Sequence, residues 1–231
     1  MKPKGKQWSR QRQLKKEDIP TPQSMVNIAA TLPTLVEASL FALLYLTAGR
    51  VTEIVRCPFI RKNVYQRSMV MGKDGLERNS IVRNEHGSPM IERYDKVELN
   101  YPGISKSDIT FSLIDDKEIM TISMQNRKNK KYTRKNIPIT IHKDVEMVAL
   151  VKAYMDTLPE LTSPLFNFGI RKAEYIMAKT RFNPHFLRDI RLTHMVTLYN
   201  FNAFQLAKFA GWKDIQSAER YVRLGVKDII Y

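Results

Sequence analysis

Residues 183–196 read NPHFLRDIRLTHMV, and the rest of the chain is best read outward from them. Pro184 suits the first turn of a helix, where its missing N–H would have no intrahelical partner and its fixed φ is already helical. His185 and Arg188 are three residues apart, so both project from one face of that turn. The unpaired N–H groups and positive dipole end of the helix favour an anion at the same place. An imidazole, a guanidinium and a helix N-terminus aimed at one point describe a phosphate site. His194 follows nine residues after His185, about half a revolution round the helix, and is predicted to face away.

Downstream, LAKFAGWKDIQSAERYVRL (206–224) ends a short helix at Gly211 and places Trp212 next to it. A last helix then leads to Tyr221, ten residues after that glycine. Upstream, Leu35, Ala38, Leu40, Phe41, Leu44 and Tyr45 recur at helical spacing. TAG (47–49) breaks this helix, and a second begins near Arg50, carries Glu53 and ends before Pro58.

Residues 108–141, DITFSLIDDKEIMTISMQNRKNKKYTRKNIPITI, hold three β-rich stretches near 109–114, 118–124 and 133–141. DDKE makes the first turn and the basic RKNKK the second, so a three-stranded antiparallel meander is predicted. After Lys143 the spacing is helical, at about 143–156, 168–180, 184–199, 202–210 and 214–223. Residues 59–103 differ from both parts: they are polar, with charge alternation in MGKDGLERNSIVRNEHGSP (71–89). They read as an inserted excursion carrying a short hairpin. The fold class predicted is α+β, mainly α-helical, with a small three-stranded antiparallel sheet.

The N-terminal residues 1–16 hold seven Lys/Arg and no acid, a basic arm that would order on a phosphate backbone. DIPTPQS (18–24) reads as a linker. Over the whole chain Lys+Arg is 38 against 23 for Asp+Glu, a net charge of +15. An excess of this size points to a polyanionic partner, because each neutralised phosphate releases condensed counterions. Hydrophobic residues make up 43%, enough for a folded core. The single cysteine, Cys57, excludes an internal disulfide and reads as a buried small residue before Pro58. The histidines at 86, 142, 185 and 194 lack zinc-ligand spacing, so no metal is expected. The longest apolar run, SLFALLYLTAG (39–49), is too short to span a bilayer. No signal peptide is read, and a soluble cytoplasmic protein is expected.

Taken in order, TAGRVTE (47–53), NRKNKKYTRKNIPI (126–139), HFLR (185–188), AGW (210–212) and ERYVRL (219–224) resemble the tyrosine recombinase, or phage integrase, family. The resemblance covers about 34–58 and 105–224, with 59–103 as an insertion, and rests on the ordered set of five rather than on any one segment. It implies a catalytic domain over 34–231, preceded by the arm and linker at 1–33, a length too short for the separate DNA-clamping domain of the family. It implies Tyr221 as nucleophile, Arg50 and Arg188 as clamps on the scissile phosphate, and His185 as an acid/base group. Trp212 occupies the family's His-or-Trp position. Counting back from NIPI favours Lys130 as the hairpin lysine that protonates the leaving 5′-oxygen, with Lys128 and Lys131 as alternatives; Glu53 would orient Arg50.

Asp189 departs from the pattern, standing where many relatives have a second histidine. It would weaken anion binding unless it turned outward or paired with an arginine such as Arg191. The chemistry so implied is site-specific recombination or integration: duplex DNA is cleaved and rejoined through a 3′-phosphotyrosine, without metal, ATP or any small-molecule cofactor. The partners implied are duplex DNA and further copies of the chain assembled on it, the setting the nucleoid, the source a mobile element. The residues VRLGVKDIIY (222–231) would dock on a neighbouring copy. A catalytically silent DNA-binding protein of the same fold is the alternative.

Overall fold

Helical structure begins earlier than the sequence suggested. Residues 18–24, read as a linker, contain the start of helix α1 (Pro22–Ala30). Pro22 occupies its first turn, the Thr21 hydroxyl accepts from the Ser24 N–H at 3.1 Å, and Met25 and Ala29 are fully buried. The overlooked signal was a Thr-Pro helix start followed by apolar residues at helical spacing. The computed structural model describes residues 19–71, 74–126, 133–212 and 214–226.

Helix α2 (Leu35–Thr47) follows, capped by Thr34, and is buried continuously from Glu37 to Thr47. A helix apolar on every side requires neighbours on every side. It ends in a left-handed turn at Ala48 (φ 45°). At Gly49 an added Cβ would lie 2.7 Å from Thr47 Oγ1 and 3.1 Å from Met124 Cε, so glycine is the residue that fits there. Helix α3 (Val51–Ile54) is a single turn. Instead of continuing towards Pro58 as predicted, the chain enters an extended strand at Cys57.

Contacts divide the chain into two units, residues 1–55 with 103–231, and residues 56–102. The second contains four strands: β1 (Cys57–Tyr65), β2 (Arg67–Met71), β3 (Glu77–Ile81) and β4 (Ile91–Tyr101). Strands β1 and β4 pair antiparallel, as do β2 and β3, giving two ladders where the sequence suggested one hairpin. They meet where Gln66 N–H donates to Met90 O at 3.0 Å, Val82 N–H to Gln66 O at 2.9 Å and Met90 N–H to Val82 O at 2.8 Å. Every residue of β2 and β3 is exposed. Cys57 is buried, as the sequence predicted.

In the first unit, β5 (Ile109–Ile114), β6 (Lys117–Asn126) and β7 (Thr133–Thr140) form the predicted antiparallel meander in the order β5-β6-β7. Asp115 and Asp116, at φ 47° and 58°, make its first turn, since aspartate tolerates the left-handed conformation that a two-residue hairpin needs. The basic second turn, residues 127–132, lies outside the described residues. Ile109, Met120, Ile122, Met124, Ile137 and Ile139 present one apolar face to the core. Five helices complete the unit: α4 (Val145–Asp156), α5 (Ile170–Lys179), α6 (Pro184–Thr197), α7 (Ala203–Ala210) and α8 (Gln216–Val226). Helix α2 packs against α1, α4, α5 and α6, and α6 against α7 and α8. The class is α+β and mainly helical, as predicted.

Candidate active site

Three chain reversals bring the site together: the end of α2, the start of α6 and the end of α7. Helix α6 opens as its sequence demands, with Pro184 in the first turn and the Asn183 side chain accepting from Phe186 N–H at 2.7 Å. His185 stays exposed on this turn, while Arg188 is 6% exposed. The Arg188 guanidinium donates to two main-chain carbonyls, Ala48 O beyond α2 and Ala210 O at the end of α7, the latter at 3.1 Å. One side chain thus ties together three elements.

Arg50 caps α3, and its charge reaches Arg188. Its main-chain N–H donates to Glu53 Oε2 and its guanidinium to Glu53 Oε1, both at 3.0 Å. Lys135, on β7, donates to Glu53 Oε2 at 3.3 Å. Burial acts to raise the Glu53 pKa, but Lys135, the Arg50 N–H and the two guanidiniums outweigh it and hold the carboxylate below its ordinary value. Burial and then Arg188 and Arg50 lower the Lys135 ammonium, against the pull of Glu53. Burial also lowers Arg188, with Arg50 adding to it, while Glu53, Tyr221 and Asp189 act the other way. A guanidinium starts so far above neutrality that Arg188 remains a cation.

The aromatic side of the site is built by α7 and α8. Gly211 closes α7 in the left-handed conformation (φ 70°, ψ 33°), which a side chain would strain. The chain then turns so that Trp212 N–H donates to Ala207 O at 2.9 Å. The indole lies under the Arg188 guanidinium, 5.6 Å from its carbon, and stacks on Tyr221 with centroids 5.7 Å apart and planes 17° from parallel. Tyr221 is 1% exposed, and its hydroxyl donates to Asp189 Oδ1.

Of the residues the sequence singled out, Arg50, Arg188, Trp212 and Tyr221 converge, and Glu53 supports Arg50. His185 lies at the exposed rim of the same helix start. Lys130, with Lys128 and Lys131, falls outside the described residues. One participant, Lys135, was not anticipated, and Asp189 has a partner other than the one expected. Lys135 follows from strand periodicity: it shares a face with the buried Ile137 and Ile139, so its side chain is directed inward. Asp189 neither turns outward nor pairs with Arg191. Arg191 instead forks onto Asp144, with both contacts at 2.7 Å, and Asp189 takes the Tyr221 hydroxyl. His194 faces away from the site, as predicted, and is buried between Tyr45 and Pro20 O, each 2.8 Å away. Among the described residues no cluster of three or more His, Cys, Asp or Glu is placed to hold a metal ion, and no helix is long and apolar enough to cross a membrane.

No protein-family model and no curated protein matches the chain by sequence. Solved structures do match by fold. One is the site-specific recombinase XerH bound to difH substrate in a pre-cleavage complex, with a TM-score of 0.51 and 11% identity over 94% of this chain. Another is XerH bound to palindromic difH substrate in a post-cleavage complex, with a TM-score of 0.50 and 10% identity over 94% of this chain. The chain spans about half the length of these proteins, 51% and 50%. At such identity the likeness is one of architecture: the chain has a recombinase-like fold.

Proposed function

We propose that this chain binds duplex DNA and cleaves and rejoins one strand at a time through a 3′-phosphotyrosine on Tyr221, acting as a site-specific recombinase or integrase. The observation that carries this reading is the convergence of two guanidiniums, an indole and a phenol from four separate segments. A phosphodiester is shielded from nucleophiles by its own charge. Arg50 and Arg188 would bind its non-bridging oxygens and oppose the charge that builds in the pentavalent transition state. Trp212, stacked against both Arg188 and Tyr221, would add its indole N–H. Because the two carbonyls and the stacked indole fix Arg188 beforehand, the guanidinium itself needs little reorganisation.

The bond to tyrosine conserves the energy of the bond that is broken, so rejoining by the freed 5′-hydroxyl needs no nucleotide. The leaving 5′-oxygen needs a proton, for which Lys130 is the favoured donor, with Lys128 and Lys131 as alternatives. His185, exposed at the helix start, would meet the DNA backbone as an acid/base group. The net charge of +15 suits a duplex partner, and the other copies needed for strand exchange would assemble on the DNA through the residues after Tyr221. Since the phenol is buried, DNA reaches it only when the packing of α8 yields.

The test is covalent trapping. Incubated with nicked duplexes that let the freed end diffuse away, the protein is expected to yield a DNA adduct resistant to denaturing gels, mapped by peptide mass to Tyr221. Tyr221→Phe abolishes the adduct while retaining DNA binding. Binding without any adduct would leave a silent DNA-binding protein of this fold.

A further inference from the structure

The contact between Tyr221 and Asp189 carries more than the family resemblance does. A phenol that attacks phosphorus must lose its proton, and the groups around Tyr221 differ in their capacity to take it. Among the described residues, Trp212, stacked on the ring, has a donor N–H and no acceptor, and the guanidinium of Arg188 has none either. The carboxylate of Asp189 already accepts the hydroxyl proton in a hydrogen bond. Its place in the chain is equally informative. Asp189 directly follows Arg188 on α6, so one helix carries both the cation proposed to bind the phosphate and the anion that accepts from Tyr221. The positive charge of Arg188 offsets the negative charge of Asp189, which is how a carboxylate is tolerated beside an anion-binding site.

We propose that Asp189 is the catalytic base for Tyr221, an inference that rests on the strand-cleavage reading above. As the phenolic oxygen bonds to phosphorus, its proton passes to Asp189 Oδ1. The P–O5′ bond breaks, its electron pair stays on the 5′-oxygen, and that oxygen takes a proton from a separate donor. In rejoining, the 5′-hydroxyl attacks the phosphotyrosine and gives its proton back to the now deprotonated donor, the P–O bond to Tyr221 breaks, and protonated Asp189 returns its proton to the departing phenolate oxygen. A free phenol is a much weaker acid than a carboxylic acid, so the proton moves as the O–P bond forms rather than before it. Among the described residues, Arg188 on the same helix acts on both members of the pair, and Arg50 and Glu53 at α3 and Lys135 on β7 act in turn on Arg188.

Asp189→Asn tests this, because the amide can still accept the phenolic hydrogen bond but cannot take the proton. In the full chain it is expected to slow both adduct formation and rejoining by about 10²–10³-fold, with DNA affinity unchanged or higher. Its rate should climb with pH as hydroxide replaces the missing base, with a slope the unmodified protein lacks. A substrate whose scissile 5′-oxygen is replaced by sulfur has a leaving group that needs no proton, and it should not rescue the variant, since the defect lies on the nucleophile. Asp189→Glu, which keeps the carboxylate, should recover part of the rate, and matching thermal unfolding shows that the asparagine variant is folded. An asparagine variant as fast as the unmodified protein, or faster, or one rescued by the sulfur substrate, overturns this inference alone. An unmodified protein that forms no adduct overturns the strand-cleavage reading and this inference with it.

Discussion

Two successive turns of α6 each bury an arginine, and the two side chains have opposite surroundings. Arg191 is 1% exposed, forked onto Asp144 through two 2.7 Å contacts and enclosed by the rings of Tyr45 and Tyr199. Burial pulls its pKa down, but Asp144 overcomes this and the guanidinium ends above its ordinary value. Arg188, three residues earlier, is held by two carbonyl oxygens, which orient the guanidinium without cancelling its charge. Among charged neighbours Arg50 has the largest effect on it, with Glu53, Tyr221 and Asp189 each acting less strongly the other way. A buried charge with its own counter-ion is a structural element, whereas one held by dipoles beside another cation keeps its attraction for an incoming anion. The same residue type, one turn apart, therefore has two different uses.

Side-chain substitutions should separate the two roles. Arg191→Ala strands Asp144 without its partner and is expected to cost about 3–5 kcal/mol of unfolding free energy in urea titration. Replacing both, Arg191→Met with Asp144→Leu, should recover most of that loss, because an apolar pair of similar volume avoids the desolvation cost. Arg188→Lys keeps the charge but loses the planar fork. It should lower strand cleavage by about 10²–10³-fold while unfolding changes by about 1–3 kcal/mol. If instead Arg188→Lys cleaved normally and Arg191→Ala remained stable, the contrast between the two turns would be void.

The far end of α6 gives a smaller effect with a definite sign. His194 lies between a main-chain carbonyl, which can only accept, and the Tyr45 hydroxyl. Nε2 therefore carries the proton and Nδ1 accepts from Tyr45. That arrangement suits the neutral ring. Burial lowers the His194 pKa to about 4, with Arg191 adding to the shift and the Pro20 carbonyl opposing it. A histidine depressed on folding is protonated more readily in the unfolded chain, so its contribution is complete above about pH 6.5 and falls away as pH drops towards 4. The loss should approach about 3 kcal/mol across that window. Unfolding measured from pH 7 to 4 should show it, and His194→Gln, which can keep a donor and an acceptor but cannot ionise, should flatten that part of the curve. An equally steep fall in the glutamine variant would assign the loss to other groups.

The sequence was most legible where local rules and tertiary need coincide. The Pro184 helix start, the Gly211 stop and the all-round apolar α2 each follow from one physical requirement, and the ordered spacing of Arg50, Arg188, Trp212 and Tyr221 matches their convergence in space. Lys135 was passed over because counting along a motif favoured the turn, although the alternation of Lys135, Ile137 and Ile139 already directed that lysine inward. The partner of Asp189 was not legible at all. Helical spacing says which face a side chain occupies, but the choice between Arg191 and Tyr221 depends on α8, 32 residues away in sequence. Residues 59–103 were legible as a polar excursion with a short hairpin but not as two ladders, since strands without a buried face lack the apolar alternation that announces a strand.

That unit supplies the smallest expected effect and the sharpest contrast with α6. Met69 and Met71 on β2 are 59% and 64% exposed, and Leu76 between β2 and β3 is 63% exposed. Large apolar side chains left in water contribute little to folding, because the hydrophobic gain scales with area removed from solvent. What holds the β2–β3 ladder is therefore main-chain pairing, fixed from Arg67↔Ile81 to Met71↔Glu77. Met69→Lys should change unfolding free energy by less than about 0.5 kcal/mol, the range of exposed substitutions. A proline at Ser68, which pairs with Ser80 and directs its N–H into the ladder, would remove a backbone donor and should cost more than the lysine if pairing is what matters. Equal, negligible effects of lysine and proline would mean that the ladder contributes nothing to stability. A loss of several kcal/mol with lysine would mean that Met69 is buried in the folded protein after all.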